Sequence, residues 1–549
     1  MPSLRLILLF DGTDNTPKDR TNVWRTYGLL AEKDVNGVPQ KKEYITGVGT
    51  DVGEFVRGSI FGQGVARKIR EGYEWLVENY QDDTEIYVFG FSRGAFAARS
   101  LVQMIAICGL ARPDTLKEWS TKEIFDRYAD ISQQDSEVIR PMWRLRYWQG
   151  HPAEAPPGWH PDRLEARLID DVYVRAVKIR MAGLWDTVGA IDADALQNKD
   201  AHRGKSAAHN VRPTRAQGYG YHALAIDEHR PMFEASLWRA FAETGKEAQT
   251  LDDFTECYEQ RWFIGAHSDV GGGYQDDDLP NITLQWMMQK ATALGLAFTH
   301  TIEPRPGAWH DPIHDSFKAF AGQILNIWDE IKNGDQRNYR DIGRLPRSIV
   351  TSGGTAGSLC TINETIDDSV LRRWQEDPTY RPPKLVEYFV RNPGKLPHGT
   401  TTAQRTQRIY AEKYWNPTGV FLRAGVRYRA HVVPGVGEPL RDLKYIARSI
   451  DGEDWDSVAH RAASLVHGKR KDDAKWFALI GTVDKYHPWV MKDGGEFTVP
   501  VSGQMLCYFN DVQIELGFYD NNSGWVMLEI ERTLAIGALR EGGSCGSCR

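Results

Sequence analysis

The sequence predicts an α/β fold with a mostly parallel sheet, followed by an all-β sandwich. Three observations support this prediction. The first half of the chain alternates β-branched apolar runs with helical stretches, the pattern of a parallel sheet covered on both faces. Beyond about residue 385, short strands are broken by glycine and proline, as in a sandwich. The length of 549 residues exceeds one typical hydrophobic core, so two domains are expected.

Four apolar runs are predicted as strands of the parallel sheet. They are Leu4 to Phe10, Glu85 to Gly90, Val177 to Leu184 and Arg261 to Gly265, and each is followed by small, acidic or hydroxyl-bearing residues. In open parallel sheets, ligands bind beyond the carboxyl ends of the strands. We therefore expect these four strand ends to meet at one site.

We place an α/β domain at residues 1–400, a β-sandwich at 405–538 and a flexible tail at 539–549. Long polar and aromatic segments at 119–165 and 275–347 are predicted to be lids or binding loops inserted into the first domain. The second segment contains apolar residues at helical spacing, for which packing on the domain body is favoured over contact with lipid. These residues are Phe317, Phe320, Ile324, Ile327, Trp328 and Ile331.

Composition and charge exclude several classes of protein. The net charge of −7 argues against a nucleic-acid binder, which needs a concentrated basic surface. No apolar run reaches the length of a transmembrane helix. The apolar N-terminal stretch enters Asp11-Gly12-Thr13 without a small-residue cleavage site, so a buried strand is predicted there and not a signal peptide. We therefore expect the protein in the cytoplasm of the cell that produces it.

A serine between a predicted strand and a predicted helix carries the strongest chemical signal. The segment from Ile86 to Arg99 contains Gly-x-Ser-x-Gly centred on Ser92. Its glycines allow a tight turn that lifts the serine hydroxyl, and the N–H of Arg93 can face an oxyanion. Gly12 and Thr13, after the first strand, are placed to supply a second oxyanion donor. The pattern predicts an α/β-hydrolase with Ser92 as nucleophile.

A serine nucleophile needs a base and a carboxylate that orients the base. Asp186, in Trp185-Asp-Thr-Val-Gly189, follows a later strand and suits the carboxylate role, with loop capping as its alternative. Asp269 is the second candidate, although the glycines from Gly271 to Gly273 also fit a purely structural turn.

Five motifs follow one another in the first domain: Phe10-Asp-Gly-Thr-Asp-Asn15, Gly90-Phe-Ser-Arg-Gly-Ala95, Trp185-Asp-Thr-Val-Gly189, Ala223-Leu-Ala-Ile-Asp-Glu-His-Arg230 and Trp262-Phe-Ile-Gly-Ala-His-Ser-Asp-Val-Gly-Gly-Gly-Tyr274. In this order they resemble the α/β-hydrolase family that contains type VI secretion phospholipase effectors of the first lipase group. The resemblance covers about residues 4–390. It implies a Ser-Asp-His esterase that acts on phospholipids, is delivered between bacteria and is paired with an immunity protein in its producer.

The same resemblance complicates the choice of the general base. Residues 364–383 look like a family segment that ordinarily reads Ile-His-x-Ser-Val, and Asp367 stands where that histidine is expected. An aspartate with an ordinary pKa of about 4 is a poor base for a serine hydroxyl. The alternatives are a natural variant with a different base, an impaired protein or an engineered substitution. Replacement bases are His267, His222 and His229, although for each of them a structural role is favoured over a catalytic one.

The C-terminal domain resembles the calcium-dependent galactose-binding lectins of bacteria. The residues that carry this resemblance lie in Asn416–Gly425, Trp476–Gly481, Asn510-Asp511 and Tyr519–Gly524. The resemblance implies a sugar ligand and a calcium ion.

The calcium ligands implied by this resemblance are Asp511, Asn521 and Asn522, whose oxygen atoms suit the ion. Asp511 and Asn521 are three residues farther apart than the lectin pattern expects, and Phe518 stands where an oxygen ligand belongs. A structural Asn-Asn-Ser-Gly turn is therefore favoured over a metal site.

The sequence as a whole predicts a hydrolase of carboxylic esters, a phospholipase or lipase of antibacterial effector type, that needs no cofactor for catalysis. Its expected partners are a lipid ester, components of a secretion apparatus and an immunity protein, and delivery to the envelope of a target cell is expected. One rival is a catalytically impaired hydrolase that binds glycans or membrane surfaces. Another is a peptidase or polyester hydrolase on the same scaffold.

Overall fold

The computed structural model describes residues 2–12, 15–47, 63–133, 174–175, 177–189, 213, 217–244, 254–275, 278–316, 338–343, 347–350, 356–455, 468–483, 485, 487–512 and 519–533. Internal contacts divide the chain into two units. The first comprises Met1–Phe320 and Asn338–Val370, and the main part of the second begins at Leu371. The domain boundaries given above stay predictions. The tail at 539–549 and the apolar helical face at 317–331 lie outside the described residues.

The described helices of the first unit are α1 (Asn22–Leu29), α2 (Gln63–Asn79), α3 (Arg93–Cys108), α4 (Thr115–Glu118), α5 (Thr121–Gln133), α6 (His267–Gly271) and α7 (Asp278–Ala293). Its described strands are β1 (Leu4–Phe10), β2 (Gln40–Ile45), β3 (Thr84–Phe91), β4 (Leu110–Ala111), β5 (Val174–Arg175), β6 (Ile179–Trp185), β7 (Gln217–Ala225), β8 (Arg239–Glu243), β9 (Tyr258–Phe263), β10 (Arg347–Val350), β11 (Ala356–Thr361) and β12 (Glu364–Ile366).

Seven of these strands form one sheet in the order β12-β9-β7-β6-β3-β1-β2. Every neighbouring pair in it is parallel. The four strands predicted from the sequence correspond to β1, β3, β6 and β9. The strands β2, β7 and β12 were not among those predicted. Lysine and glutamate interrupt β2, glycine and tyrosine interrupt β7, and β12 has only three residues. Three further strands form a small antiparallel sheet in the order β10-β11-β8.

The central strands are apolar on both faces, because helices cover both sides of a parallel sheet. In β1, Leu6, Leu8 and Phe10 pack into one core cluster with residues of α2 and α3. The alternate residues Ile7 and Leu9 pack into a second cluster with residues of α1 and α7. This double burial holds the sheet rigid, so the turns at its carboxyl edge have fixed positions.

The described elements of the second unit begin with α8 (Asp368–Glu376), which spans the boundary, and α9 (Pro383–Arg391). Its strands are β13 (Gln404–Arg405), β14 (Ile409–Tyr410), β15 (Asn416–Leu422), β16 (Arg427–Asp442), β17 (Tyr445–Ile446), β18 (Leu479–Thr482), β19 (Trp489–Val490), β20 (Glu496–Thr498), β21 (Gly503–Phe509) and β22 (Asn522–Arg532).

These strands form two antiparallel sheets, one of six strands that includes β16 and β22 and one of four strands in the order β15-β21-β18-β19. One hydrophobic cluster takes side chains from both sheets, for example Ala430 and Leu528 from the first and Leu422 and Met505 from the second. The core of this unit therefore lies between two sheets, as in a sandwich. The predicted fold class, an α/β domain followed by an all-β sandwich, is confirmed.

Within the described ranges, the structure contains no helix that is both long enough and apolar enough to span a membrane.

Candidate active site

Ser92 lies between β3 and α3 with backbone angles φ 59° and ψ −126°, a conformation that residues other than glycine rarely adopt. The glycines on either side explain how the turn closes. A Cβ on Gly90 would lie 2.6 Å from the Cα of Ala95, and one on Gly94 would lie 2.3 Å from the carbonyl oxygen of Phe10. Both positions therefore need glycine, and the chain passes sharply from strand to helix at the serine.

His267 is the histidine that the structure brings to Ser92. It is the first residue of α6, and its Nε2 lies 2.8 Å from Ser92 Oγ. Its Nδ1 lies 2.5 Å from Asp186 Oδ2. The ring packs against Phe91 and Phe233 at centroid distances of 4.6 and 4.9 Å. In the neutral imidazole, Nδ1–H donates to Asp186 and Nε2 accepts the serine proton, which is the arrangement a general base needs.

Asp186 is fully buried in the turn after β6 and has a left-handed φ of 41°. Ser92 N–H donates to the carbonyl of Trp185 at 3.0 Å, which ties this turn to the one that carries the serine. Ala225 N–H donates to Asp186 Oδ1 at 3.0 Å. Burial opposes the charge on Asp186, but Arg340 and the hydrogen bond from His267 hold the pKa of this carboxyl well below its ordinary value.

Arg340 forms a buried, two-pronged ion pair with Asp186. Its Nη1 lies 2.5 Å from Asp186 Oδ1, and its Nη2 lies 3.0 Å from Oδ2. The same guanidinium donates to the carbonyl oxygens of Ala225 and Phe233. Arg340 was not among the residues predicted from the sequence, because one arginine after a long polar segment gives no local sign of where its side chain lies.

Glu228 is a second buried carboxylate near the histidine. It accepts hydrogen bonds from the N–H of His267 at 3.2 Å and from the hydroxyl of Ser316 at 3.0 Å. It also forms an ion pair with Arg230 at 2.9 Å. Burial opposes its charge, but Arg230 lowers the pKa of Glu228 to about 2. The glutamate lies inside a motif already noted in the sequence, although no role was predicted for it there.

The structure does not bring Asp367 to Ser92, and the prediction that it occupies the base position is corrected. Asp367 follows β12, the edge strand, which is four strand spacings from β3, or about 19 Å at about 4.8 Å per strand. Its carboxylate accepts the hydroxyl and N–H of Ser369 and bonds Arg261 at 3.3 Å. These contacts are those of an aspartate at the start of a helix.

The other two candidate bases have different surroundings. His222 is buried, and its Nε2 accepts the N–H of Thr187 at 3.0 Å. Burial, followed by the charge of Arg99, lowers the pKa of His222 to about 3, so this ring stays neutral and helps to hold the Asp186 turn. The ring of His229 contacts Tyr339.

Asp269, the alternative carboxylate, caps α6. It accepts the N–H of Ala266 at 2.9 Å, and it accepts His314 Nδ1 at 2.6 Å. These contacts leave the orientation of His267 to Asp186.

The predicted oxyanion donors are described in part. A Cβ on Gly12 would lie 3.2 Å from the Cβ of Ser92, so Gly12 lies beside this serine. However, its N–H donates to the carboxylate of Asp11 at 2.7 Å. Thr13 lies outside the described residues. Arg93 is the first residue of α3, where backbone N–H groups point out of the helix end. The oxyanion roles of all three residues stay predictions.

In the second unit, the residues proposed for calcium lie partly together. Asn522 Nδ2 donates to Asp511 Oδ2 at 3.0 Å, and Asn522 Oδ1 is buried without a hydrogen-bond partner. Asn521 instead donates to Asp442 at 3.1 Å. Phe518 lies outside the described residues. Where the structure describes the chain, no cluster of three or more histidine, cysteine, aspartate or glutamate side chains suits a metal.

Comparisons with known proteins place the first unit in a family. The family described as the type VI secretion system phospholipase effector, Tle1-like, catalytic domain matches residues 4–290. An uncharacterized protein of Saccharomyces cerevisiae, YEL023C, is 23% identical in an alignment of 425 residues, with 56% of this chain and 58% of that protein covered. The matching region thus spans less than two thirds of the yeast relative.

Three solved structures are similar at low identity. An uncharacterized protein from Pseudomonas aeruginosa is 16% identical, with 58% of this chain and 50% of that chain covered and a TM-score of 0.29. The Tle1 effector bound to the VgrG spike of the type VI secretion system is 14% identical, with 67% and 94% covered and a TM-score of 0.29. The EclA N-terminal domain, a PllA-like lectin, is 15% identical, with 24% and 98% covered and a TM-score of 0.18.

Proposed function

This chain belongs to the Tle1-like family of type VI secretion phospholipase effectors, and on that premise we propose that it is a serine esterase that hydrolyses the acyl esters of phospholipids. The observation that carries the proposal is the hydrogen-bonded line from Ser92 through His267 to Asp186. This is the constellation of a nucleophile, a base and an orienting carboxylate, recognised by geometry and not by order in the chain.

In the proposed reaction, Ser92 Oγ attacks the acyl carbon while its proton passes to His267 Nε2. The carbonyl π electrons move to oxygen, and the resulting oxyanion lies at the N-terminal end of α3, where N–H groups and the helix dipole favour negative charge. His267 then returns the proton to the departing alcohol, which leaves an acyl-enzyme. A water molecule repeats the sequence, with His267 as base, and releases the fatty acid.

The surroundings of His267 suit the role of a base. Burial lowers the pKa of His267 from its ordinary value, and the bond to Asp186 opposes this effect. A histidine that is neutral at pH 7 can accept the serine proton without first losing one of its own. We therefore expect activity to persist at mildly acidic pH.

This geometry also bears on the rival of a catalytically impaired protein. That rival depended on an aspartate, Asp367, at the base position. The base proposed here is His267, which lies at the start of α6 after β9, so the proposal does not need Asp367 to be a base. A peptidase or polyester hydrolase would use the same three residues, so the choice of acyl substrate separates these activities from a phospholipase.

The delivery route and partners follow from the family and are also proposals. We infer that the chain is made in the cytoplasm of a bacterium, travels with components of a secretion apparatus to the envelope of a target cell, and is restrained in its producer by an immunity protein. The β-sandwich would act as a binding module and take no part in the chemistry.

A calcium ion in the β-sandwich would be held by Asp511 and Asn522. The partnerless, buried Asn522 Oδ1 beside the Asp511 carboxylate fits a hard cation, which prefers oxygen ligands. When bound, calcium supplies coordination positions for sugar hydroxyls. The contact of Asn521 with Asp442 argues against a full ligand set, and a galactoside ligand rests on the sequence resemblance alone.

The proposed esterase is tested with a fluorophosphonate probe and with phospholipid vesicles. Mass spectrometry should place one adduct on the peptide that contains Ser92, and Ser92→Ala and His267→Ala should abolish labelling and fatty-acid release. Asp367→Asn is the matched control and should keep both. An adduct on another serine of the folded protein, or full activity in His267→Ala, would refute the proposal. Labelling without phospholipid turnover would keep the serine chemistry and reject the substrate class.

A further inference from the structure

The charges around His267 are balanced in an unusual way. An ordinary triad places a buried carboxylate, with net charge −1, behind the histidine. Here the carboxylate of Asp186 is paired with Arg340, whose side chain is 1% exposed, and the carboxylate of Glu228 is paired with Arg230. The two anions near the histidine are thus matched by two cations.

The ion pair of Arg340 also saturates the carboxylate that orients the base. Asp186 Oδ1 accepts from Ala225 N–H and Arg340 Nη1, while Oδ2 accepts from His267 Nδ1 and Arg340 Nη2. Each oxygen therefore has two donors, which fixes the plane of the carboxylate. Arg340 also donates to the carbonyl oxygens of Ala225 and Phe233. A change of its side-chain rotamer would therefore break hydrogen bonds to four oxygen atoms, two of them on Asp186.

We propose that Arg340 is a positioning residue of the Ser92–His267–Asp186 triad, which locks the Asp186 carboxylate and cancels most of its charge, so that the imidazole is held in its neutral, base form. The proposal rests on the serine esterase proposed above and predicts how the activity of that site depends on pH. Arg340 does not touch the reacting atoms. It acts through Asp186 Oδ2, the oxygen that it shares with His267.

The direction of the pH effect follows from the charges. Burial lowers the pKa of His267, while the hydrogen bond and charge of Asp186 raise it. A cation paired with Asp186 weakens that second effect, because it disfavours another positive charge close by. Removal of the guanidinium would leave a full negative charge behind the ring and would stabilise the imidazolium. As the pH is lowered, the rate of this variant would then begin to fall about one pH unit higher than the rate of the wild type.

Other charged or titratable groups face His267 or lie on the helix that it begins, and all of these residues are kept when Arg340 is substituted. They are Asp186, Glu228, Arg230, Asp269 and, bonded to Asp269, His314.

The experiment compares Arg340→Met with Arg340→Lys in the full chain. The rate of fluorophosphonate labelling and of short-chain ester hydrolysis is measured from pH 4.5 to 8.5, about the range in which a histidine titrates. In Arg340→Met, we expect the acid limb to move up by about one pH unit and the plateau to fall by at least about tenfold. In Arg340→Lys, which keeps the charge but not the two-pronged geometry, the plateau should fall while the acid limb stays near that of the wild type.

Arg5→Met is the matched control, because Arg5 is also buried and bonds two carboxylates, Asp34 and Glu85, at the opposite end of β1. It should lower stability without moving the acid limb. If Arg340→Met does not fold, Arg340→Gln serves as a second neutral variant.

Each outcome decides a separate point. A fall in plateau without a shift of the acid limb in the neutral variant would overturn the proposal, and so would equal shifts in the neutral and lysine variants. Unchanged profiles in every variant would overturn it as well. If the wild type itself is not labelled at Ser92, the proposed esterase fails, and this result is distinct from a failure of the role of Arg340.

Discussion

Asp186→Ala should damage stability and activity together, through one buried ion pair. The substitution removes both carboxylate oxygens that bond Arg340 at 2.5 and 3.0 Å, and it leaves a guanidinium whose side chain is 1% exposed without its charge partner. An uncompensated buried charge of this kind costs about 3–5 kcal/mol. The loss of an oriented base should lower kcat by about 10⁴-fold.

The double variant Asp186→Ala with Arg340→Met separates these two effects. Because it removes both charges, it should recover most of the lost stability while its activity stays as low as that of the single variant. Hydrogen exchange of peptides from β3 and β6 measures the stability of the α/β unit independently of the sandwich. Turnover of a short-chain ester measures activity.

Two results would refute this account of the pair. One is an opening free energy in Asp186→Ala within about 1 kcal/mol of the wild type, which would show that the charges are not buried against each other. The other is a double variant no more stable than the single one. Asp186→Asn is the control for backbone strain, since asparagine tolerates the left-handed φ of 41° at this position.

Three further predictions concern other parts of the chain. Asp367→His should leave the labelling rate unchanged, since the carboxylate of Asp367 bonds Ser369 and Arg261 while His267 contacts Ser92; a steep rise in rate would restore it as the base. Gly271→Ala should lower soluble yield and labelling, because a Cβ there would lie 2.0 Å from the ring of Phe91, whereas Gly28→Ala, with open space around it, should be tolerated. Asn522→Ala should leave turnover of a soluble short ester intact. Calcium should raise the melting temperature of the wild type but not of this variant. A wild-type melting temperature that does not change with calcium would argue against the metal.

Local sequence features were sufficient to predict the main strands and the sharp turn at Ser92, the proposed nucleophile. The run from Leu4 to Phe10 is apolar at every position but one, which suits a strand buried on both faces. Ser92 is set by a strand, two glycines and a helix within a few residues, so the local causes of its sharp turn lie in one segment. Asp186 follows a strand end in the same way.

The tertiary structure decided which histidine reaches the serine and what surrounds the carboxylate. A resemblance placed the base at Asp367, but the order of strands puts that residue at the sheet edge, where its carboxylate bonds Ser369 and Arg261. The turn into α6 after β9 carries His267 to Ser92. Sheet order depends on long-range pairing, which no local pattern encodes. Arg340 bonds Asp186 from 154 positions away in the sequence. A buried ion pair of this kind is stable only when the surrounding side chains pack completely around both charges. The sequence neighbours of the two residues give no sign of that packing.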